Sequence, residues 1–197
     1  MFPVKVDPTV TKNTNGSTFV QSPFNADNSG DPNLSVGTYN GGGNKAAAYL
    51  KFDSISSQLA GNHILDAHLK MYETWSYSCS PRDVFIHKVT QPWSVSGAKT
   101  YPGPNYGALI RRVGFAYGHD SGCSSRWVSM HLGNVGRDMV HGWTHGAANY
   151  GITVRASNTE VRSRWSLVMN RSRVDMAERV SCRDGLKTMQ SAIHTDI

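Results

Sequence analysis

The sequence predicts an all-β protein of antiparallel strands with one short helix in its last third. Three observations predict it. Stretches such as NLSVGTY, AAYLKFD and ILDAHLKMYET alternate apolar and polar residues and are separated by clusters of Gly, Asn and Asp, the pattern of half-buried strands joined by turns. Only 17% of the residues are charged, while Gly contributes 19, a composition that suits a turn-rich sheet protein. The length of 197 residues is enough for one sizeable core and lies in the range that all-β sandwiches use for a single domain.

Residues 1–16 read as an extended lead-in or linker, with Pro8 and TKNTNGS marking a boundary. Thr18–Val20 is the expected first strand, and Leu34–Gly37 follows the turn-rich loop NADNSGDPN. Gly41-Gly42-Gly43 is a hairpin tip: a phosphate-cradling loop needs Lys-Ser/Thr at a helix start, and Asn44-Lys45-Ala46 does not supply it. Strands come next over Ala47–Asp53 and Ile64–Thr74, with Ile55 and Leu59 bridging the sandwich end between them. In DVFIHKV, Val84 and Ile86 face one way and Phe85, His87 and Val89 the other, the two-sided apolarity of a central strand. The connection TQPWSVSGAKTYPGPNYG then carries Trp93, Tyr101 and Tyr106, and strands follow around Val113–Tyr117 and Trp127–Leu132. Val135, Met139, Val140 and Trp143 form an apolar helical face over 135–144, with Asn134 as N-cap and Gly146 just past the end. NYGITVRAS is the last clear strand. Residues 161–197 form an atypical basic tail in which Asp175–Val180 suits a turn of helix and Leu167, Val168, Met169 and Val174 are apolar enough to lie over the sheet.

Charge excludes one class of partner. The net charge is +6, but residues 1–160 hold thirteen Lys/Arg against ten Asp/Glu, and the tail seven against four. With no basic stripe interleaved with aromatics, nucleic acid is not an expected partner. No run of about 18 apolar residues suggests a membrane span. The start MFPVKVDPTV lacks the basic and apolar regions of a signal peptide, so the chain is read as intracellular or as a piece of something longer.

Catalytic chemistry finds little support. His141 and His145 stand four apart, but Gly142 occupies the place where a metalloprotease needs its Glu. No G-x-S-x-G elbow organises a Ser/His/Asp set, and the carboxylates are too scattered for glycoside cleavage. Asp27, Asp31 and Asp53 are loop oxygen donors suited to structural calcium, but turn capping by Asp31 before Pro32 and a strand end at Asp53 account for them better. Sugar rings stack on exposed aromatic faces, so Trp93, Tyr101 and Tyr106, with Arg111, Arg112 or Arg155 as polar partners, are the candidate ligand-binding residues. Plugging of the sandwich ends accounts for the same aromatics, and Trp75, Trp127 and Trp143 are expected in the core. Three cysteines cannot all pair with one another; a long-range disulfide in an exported protein and free thiols in the cytosol both fit. Without a C-x-x-C spacing, zinc is not expected.

The L-x-V-G strand at Leu34, the YL-x-F-D strand at Tyr49 and the I-x-x-A-x-L-x-x-Y strand at Ile64 together resemble the DNRLRE domain. The phrase from Val140 through Trp143, Gly146 and Asn149-Tyr150-Gly151 to Ala156 is its most specific family-like motif. The resemblance covers about residues 17–160, and FPVKVDP is similar to the junction that precedes such domains. It implies a jelly-roll-like antiparallel β-sandwich acting as a non-catalytic extracellular or cell-wall module of a larger RHS-type protein, whose other domains are its partners. The implied ligand is a polysaccharide or wall glycan; the rivals are a spacer without ligand and a polysaccharide-active hydrolase or lyase. The resemblance also implies a Cys79–Cys123 disulfide, since Cys-containing loops occur at these two places in the relatives. By the same comparison residues 161–197 are not the closing strand such a domain would have, but a truncated or frame-altered end.

Overall fold

Alternation of this kind leaves each strand with one apolar face, and two sheets satisfy both faces by packing against each other. The computed structural model describes residues 9–156 and 167–179 and has this architecture: an all-β sandwich with one main helix. Its strands are β1 (Thr9–Asn13), β2 (Gly16–Gln21), β3 (Asn33–Tyr39), β4 (Asn44–Lys51), β5 (His63–Ser76), β6 (Arg82–Val89), β7 (Tyr106–Phe115), β8 (Arg126–His131), β9 (Ile152–Ala156) and β10 (Leu167–Arg179); its helices are α1 (Asp53–Gln58) and α2 (Gly133–Thr144).

One layer runs β8–β5–β10, with β1 and the first half of β3 sharing the other side of β10. The second layer runs β7–β6–β9–β4–β2. Strand β3 belongs to both, because Asn33–Val36 pair with β10 and Gly37–Tyr39 with β4. The switch falls at Gly37, whose φ of 119° is a conformation that side chains disfavour and glycine tolerates. All the strand pairs are antiparallel.

The core lies between the layers. Phe19, Leu50, Ile86 and Val154 from one sheet meet Leu69, Met71, Met130 and Val174 from the other. Helix α2 closes one end by burying Met139, Val140 and Trp143 against β5 and β7. Each such side chain contributes roughly 1.5–3 kcal/mol by leaving water. The helix starts at Gly133, without a side-chain cap from the residue before it, so Asn134 is inside the first turn and not its N-cap. Between β4 and β5, where the sequence places Ile55 and Leu59 as a bridge over the sandwich end, Asp53–Gln58 coil into the short helix α1, which buries Ile55 and touches α2.

Both flanking segments supply strands to the β8–β5–β10 layer. Thr9–Asn13, within the lead-in, pair with Arg173–Ala177. Leu167–Arg179, within the basic tail, pair with β5 along most of its length. Asp175–Arg179 are therefore strand and not the expected helical turn: β1 and β5 take up the backbone on both sides at Asp175–Ala177, and Val174 and Met176 are buried. Cys182 lies outside the described residues. Trp127 departs from the expected core position. Met130 and Val128 set the inward phase of β8, so Trp127 faces out at 41% exposure.

Cys79 and Cys123 form a disulfide, joining the β5–β6 loop to the β7–β8 loop. None of the described helices is long and apolar enough to cross a membrane.

Candidate functional site

The alternation of β4 sends Ala48 and Leu50 into the sandwich and Ala47 and Tyr49 to the opposite face. On that outer face the β6–β7 connection folds back over the sheet. Val20, Ala47, Tyr49, Val89 and Ala98 form a second apolar cluster there, with Trp93, Tyr101 and Tyr150 packed against it. An isolated bridge from Thr100 to Gln21 pins the connection beside β2.

Tyr49 is the post on which this layer rests. Its ring is fully buried, so its hydroxyl must find partners inside the protein. It lies 2.7 Å from the Pro102 carbonyl and 2.9 Å from the Pro104 carbonyl, sharing one proton between them, and accepts from Arg155 Nη1 at 3.1 Å. Burial pushes the phenol pKa up, and the Arg155 charge opposes it in part. Gly103 lies so close over the ring that a Cβ there would sit 2.7 Å from it, and its φ is +84°; both facts demand glycine. Trp93 meets Tyr49 edge-on at 5.6 Å between centroids and donates its indole N–H to the Tyr150 carbonyl at 2.8 Å. The Lys51 ammonium lies 5.3 Å from the Trp93 ring centre.

Arg155, on β9, is 7% exposed and also donates to the Pro102 carbonyl at 3.2 Å. Its guanidinium carbon lies 5.2 Å from the Tyr101 ring centre and 4.4 Å from that of Tyr106, close enough for cation–π attraction to both. Tyr106 is 41% exposed and meets His87 edge-on at 4.9 Å. Strand register continues the row: Phe85 pairs with Arg155 on one side and Arg112 on the other. Arg112 lies over the Phe85 ring at 5.9 Å and is ion-paired with Asp83, whose carboxyl the Arg112 hydrogen bond holds below its ordinary pKa. The result is a strip of Arg112, Phe85, Arg155, Tyr106 and Tyr101 on one sheet face. Beside it a hollow of about 360 Å³ opens in the connection, lined in part by Trp93, Lys99, Thr100 and Pro102.

Of the residues named from sequence, Trp93, Tyr101, Tyr106 and Arg155 thus share one face. Arg111 does not join them: its guanidinium lies at the start of α2, next to Gly133. Arg112, also named from sequence, joins them, and Phe85 and His87 complete the strip. The clue to Phe85 and His87 was the two-sided apolarity of β6, which marks an outer face that something covers. Asp27 and Asp31 each accept from a backbone N–H two residues on, at 3.0 and 2.8 Å. Asp53 is engaged by Asn15 and Lys51, and the three carboxylates do not gather in one group. His145 Nδ1 lies 2.9 Å from the His141 carbonyl, while His141 Nδ1 accepts from the Ile64 N–H at 3.4 Å. These histidines are tied to backbone and do not converge on a metal position.

An outer sheet face that carries an aromatic and cationic strip offers the kind of surface on which sugar rings stack. The family model of carbohydrate-binding module family 96 matches residues 8–115, more than half of the sequence, and the chain belongs to that family. It is accordingly a non-catalytic binding module. The match spans β1 to β7 and so includes Trp93, Tyr101, Tyr106 and Arg112; β8–β10, α2 and Arg155 lie beyond it. Among curated proteins, none matches the chain.

Proposed function

We propose that the module binds an acidic polysaccharide on the outer face of its β7–β6–β9–β4–β2 sheet, as an extracellular part of a larger wall-associated protein. The observation that carries this reading is the exposed Tyr106 ring set beside Arg155 and in line with Arg112. A sugar ring packs on the apolar face of the phenol, and a guanidinium offers paired donors to a uronate carboxylate. The roles divide by burial. Trp93, Tyr101 and Arg155 are committed to holding the connection in place, whereas Tyr106 and Arg112 present free surface. Lys51 and Lys99 add positive charge nearby, and Asp83, the carboxylate on the strip, is neutralised by Arg112.

The disulfide supports an oxidising location, because such bonds persist mainly outside the cytosol. The resemblance to DNRLRE domains supports an RHS-type parent protein with further domains. A spacer without ligand is the second reading, favoured by the internal partners that already satisfy Trp93 and Arg155.

Affinity electrophoresis in gels containing alginate, pectin, soluble chitin fragments or peptidoglycan fragments separates the two. Binding predicts retardation by the uronate polymers. Tyr106→Ala and Arg112→Ala should each weaken it about tenfold, the equivalent of about 1.4 kcal/mol. Unchanged migration in every gel would leave the spacer standing.

A further inference from the structure

The other sheet carries a different constellation. On β5 the inward phase is Ala67, Leu69 and Met71, so Asp66, His68 and Lys70 face out. Strand β8 lies alongside with His68 directly opposite His131 and Lys70 opposite Ser129. Asp66 ends up between two imidazoles: its Oδ2 is 3.0 Å from His68 Nε2 and its Oδ1 2.7 Å from His131 Nε2. One ligand atom from each of the three residues lies within 4.8 Å of the others.

We propose that Asp66, His68 and His131 form a binding site for a borderline divalent transition metal such as zinc, on the outer face of the β8–β5–β10 sheet. Two imidazoles and a carboxylate are a donor set for zinc, nickel or copper, not for calcium, which requires six or more oxygens. Zinc–nitrogen and zinc–oxygen bonds of about 2.0–2.2 Å place neighbouring ligand atoms roughly 3.0–3.5 Å apart. The two carboxylate–imidazole separations, 3.0 and 2.7 Å, are near that spacing, and the three ligand atoms lie within 4.8 Å of one another. Both rings direct the same nitrogen, Nε2, at the same carboxylate.

The surroundings orient the set as a metal site needs. The Ala67 N–H donates to Asp66 Oδ1 at 2.8 Å, and Ser129 Oγ lies 3.4 Å from His68 Nδ1, an outer partner that fixes the ring. Lys70, the nearest cation on the strand, is drawn to Asp175 at 2.5 Å and so does not compete for Asp66. The two imidazoles remain 37% and 51% exposed. A hollow of about 240 Å³ opens beside Asp66 and His68 toward Thr9, Lys70 and Asp175.

The test is calorimetric titration of the tag-free chain with zinc, paired with the histidine ring nitrogen signals in NMR. One saturable site is expected, shifting the Nε2 signals of His68 and His131. His68→Ala, His131→Ala and Asp66→Asn should each weaken it by at least about tenfold. His141→Ala, which alters the separate imidazole group near the end of α2, should leave it unchanged, and calcium should not bind there. No saturable uptake, or uptake that survives both His68→Ala and His131→Ala, overturns the proposal. Folding of each variant is checked by its melting curve, and the NMR readout on the parent chain stands without any variant.

Discussion

Glu73 lies on the inward phase of β5, fully buried, and no side chain among the described residues hydrogen-bonds to either carboxylate oxygen. Burial pushes its pKa up to about 8, with the Tyr117 backbone N–H offsetting part of the effect. The folded protein therefore holds a proton at pH 7 that the unfolded chain has released. A carboxyl raised in this way contributes a stability that falls as pH rises from its unfolded value, near 4.3, to about 8, and is lost above that. The whole swing is roughly 5 kcal/mol at most. Glu73→Gln keeps the side chain neutral at every pH. Melting temperatures of parent and variant should lie close together near pH 5 and diverge by pH 9, with the parent lower. Parallel curves would locate the pH response elsewhere. This position is legible in the sequence, since Ala67, Leu69 and Met71 set a phase that puts Glu73 inside; that no described side chain pairs with it is a tertiary fact that no strand pattern carries.

The β6–β7 connection acts as an element although it has little regular structure. Its sequence signals were Pro, Gly and aromatic side chains, which announce a covering layer without saying which face is covered. That depends on the outward phase of β4 and on Arg155, a strand residue more than fifty positions away. Trp127 shows the converse, a tryptophan on a regular strand that reads as core until the phase set by Met130 turns it outward. The connection hinges on Gly103. Gly103→Ala would drive a methyl into the Tyr49 ring at a φ of +84°, and strain of this kind costs about 1–3 kcal/mol. The melting temperature should fall, and retardation by uronate polymers should weaken because Tyr101 and Tyr106 lose their support. A lower melting temperature with binding intact would separate the connection from the ligand face. The disulfide is the other long tie. Closing a loop with a sequence separation of 44 stabilises by about 4 kcal/mol in the chain-entropy model, so Cys79→Ser with Cys123→Ser should lower the denaturant midpoint measurably. An unchanged midpoint would mean that the loops are held by their other contacts alone.

At the scale of the whole molecule, the pattern that made β2–β9 legible stops before β10. Strand alternation is a local signal, and β10 is recognised by what it lies between: β5 on one side, and β3 and β1 in succession on the other. Its sequence, LVMNRSRVDMAER, carries charge at positions that reach the outer face, such as Arg173, where the guanidinium lies 4.7 Å from the Trp127 ring centre, and apolar groups at Val174 and Met176, which are buried in the core. Removing it would leave β5 with an open edge, strand β1 without a neighbour in the layer, and a gap in the core. Unpaired strand edges recruit other chains, and loss of a buried Met side chain alone costs about 2–5 kcal/mol. A chain ending at Ala156 should therefore show no cooperative melting transition and should self-associate in sedimentation experiments. Val174→Ala, which removes packing but keeps the backbone ladder, should remain monomeric and melt cooperatively at a lower temperature. A synthetic peptide of residues 167–179 added to the truncated chain should restore cooperative melting, since it can re-enter as a strand through main-chain hydrogen bonds. If the truncated chain instead melts as a monomer at the parent temperature, β10 contributes nothing to the fold, and the sandwich is complete without it.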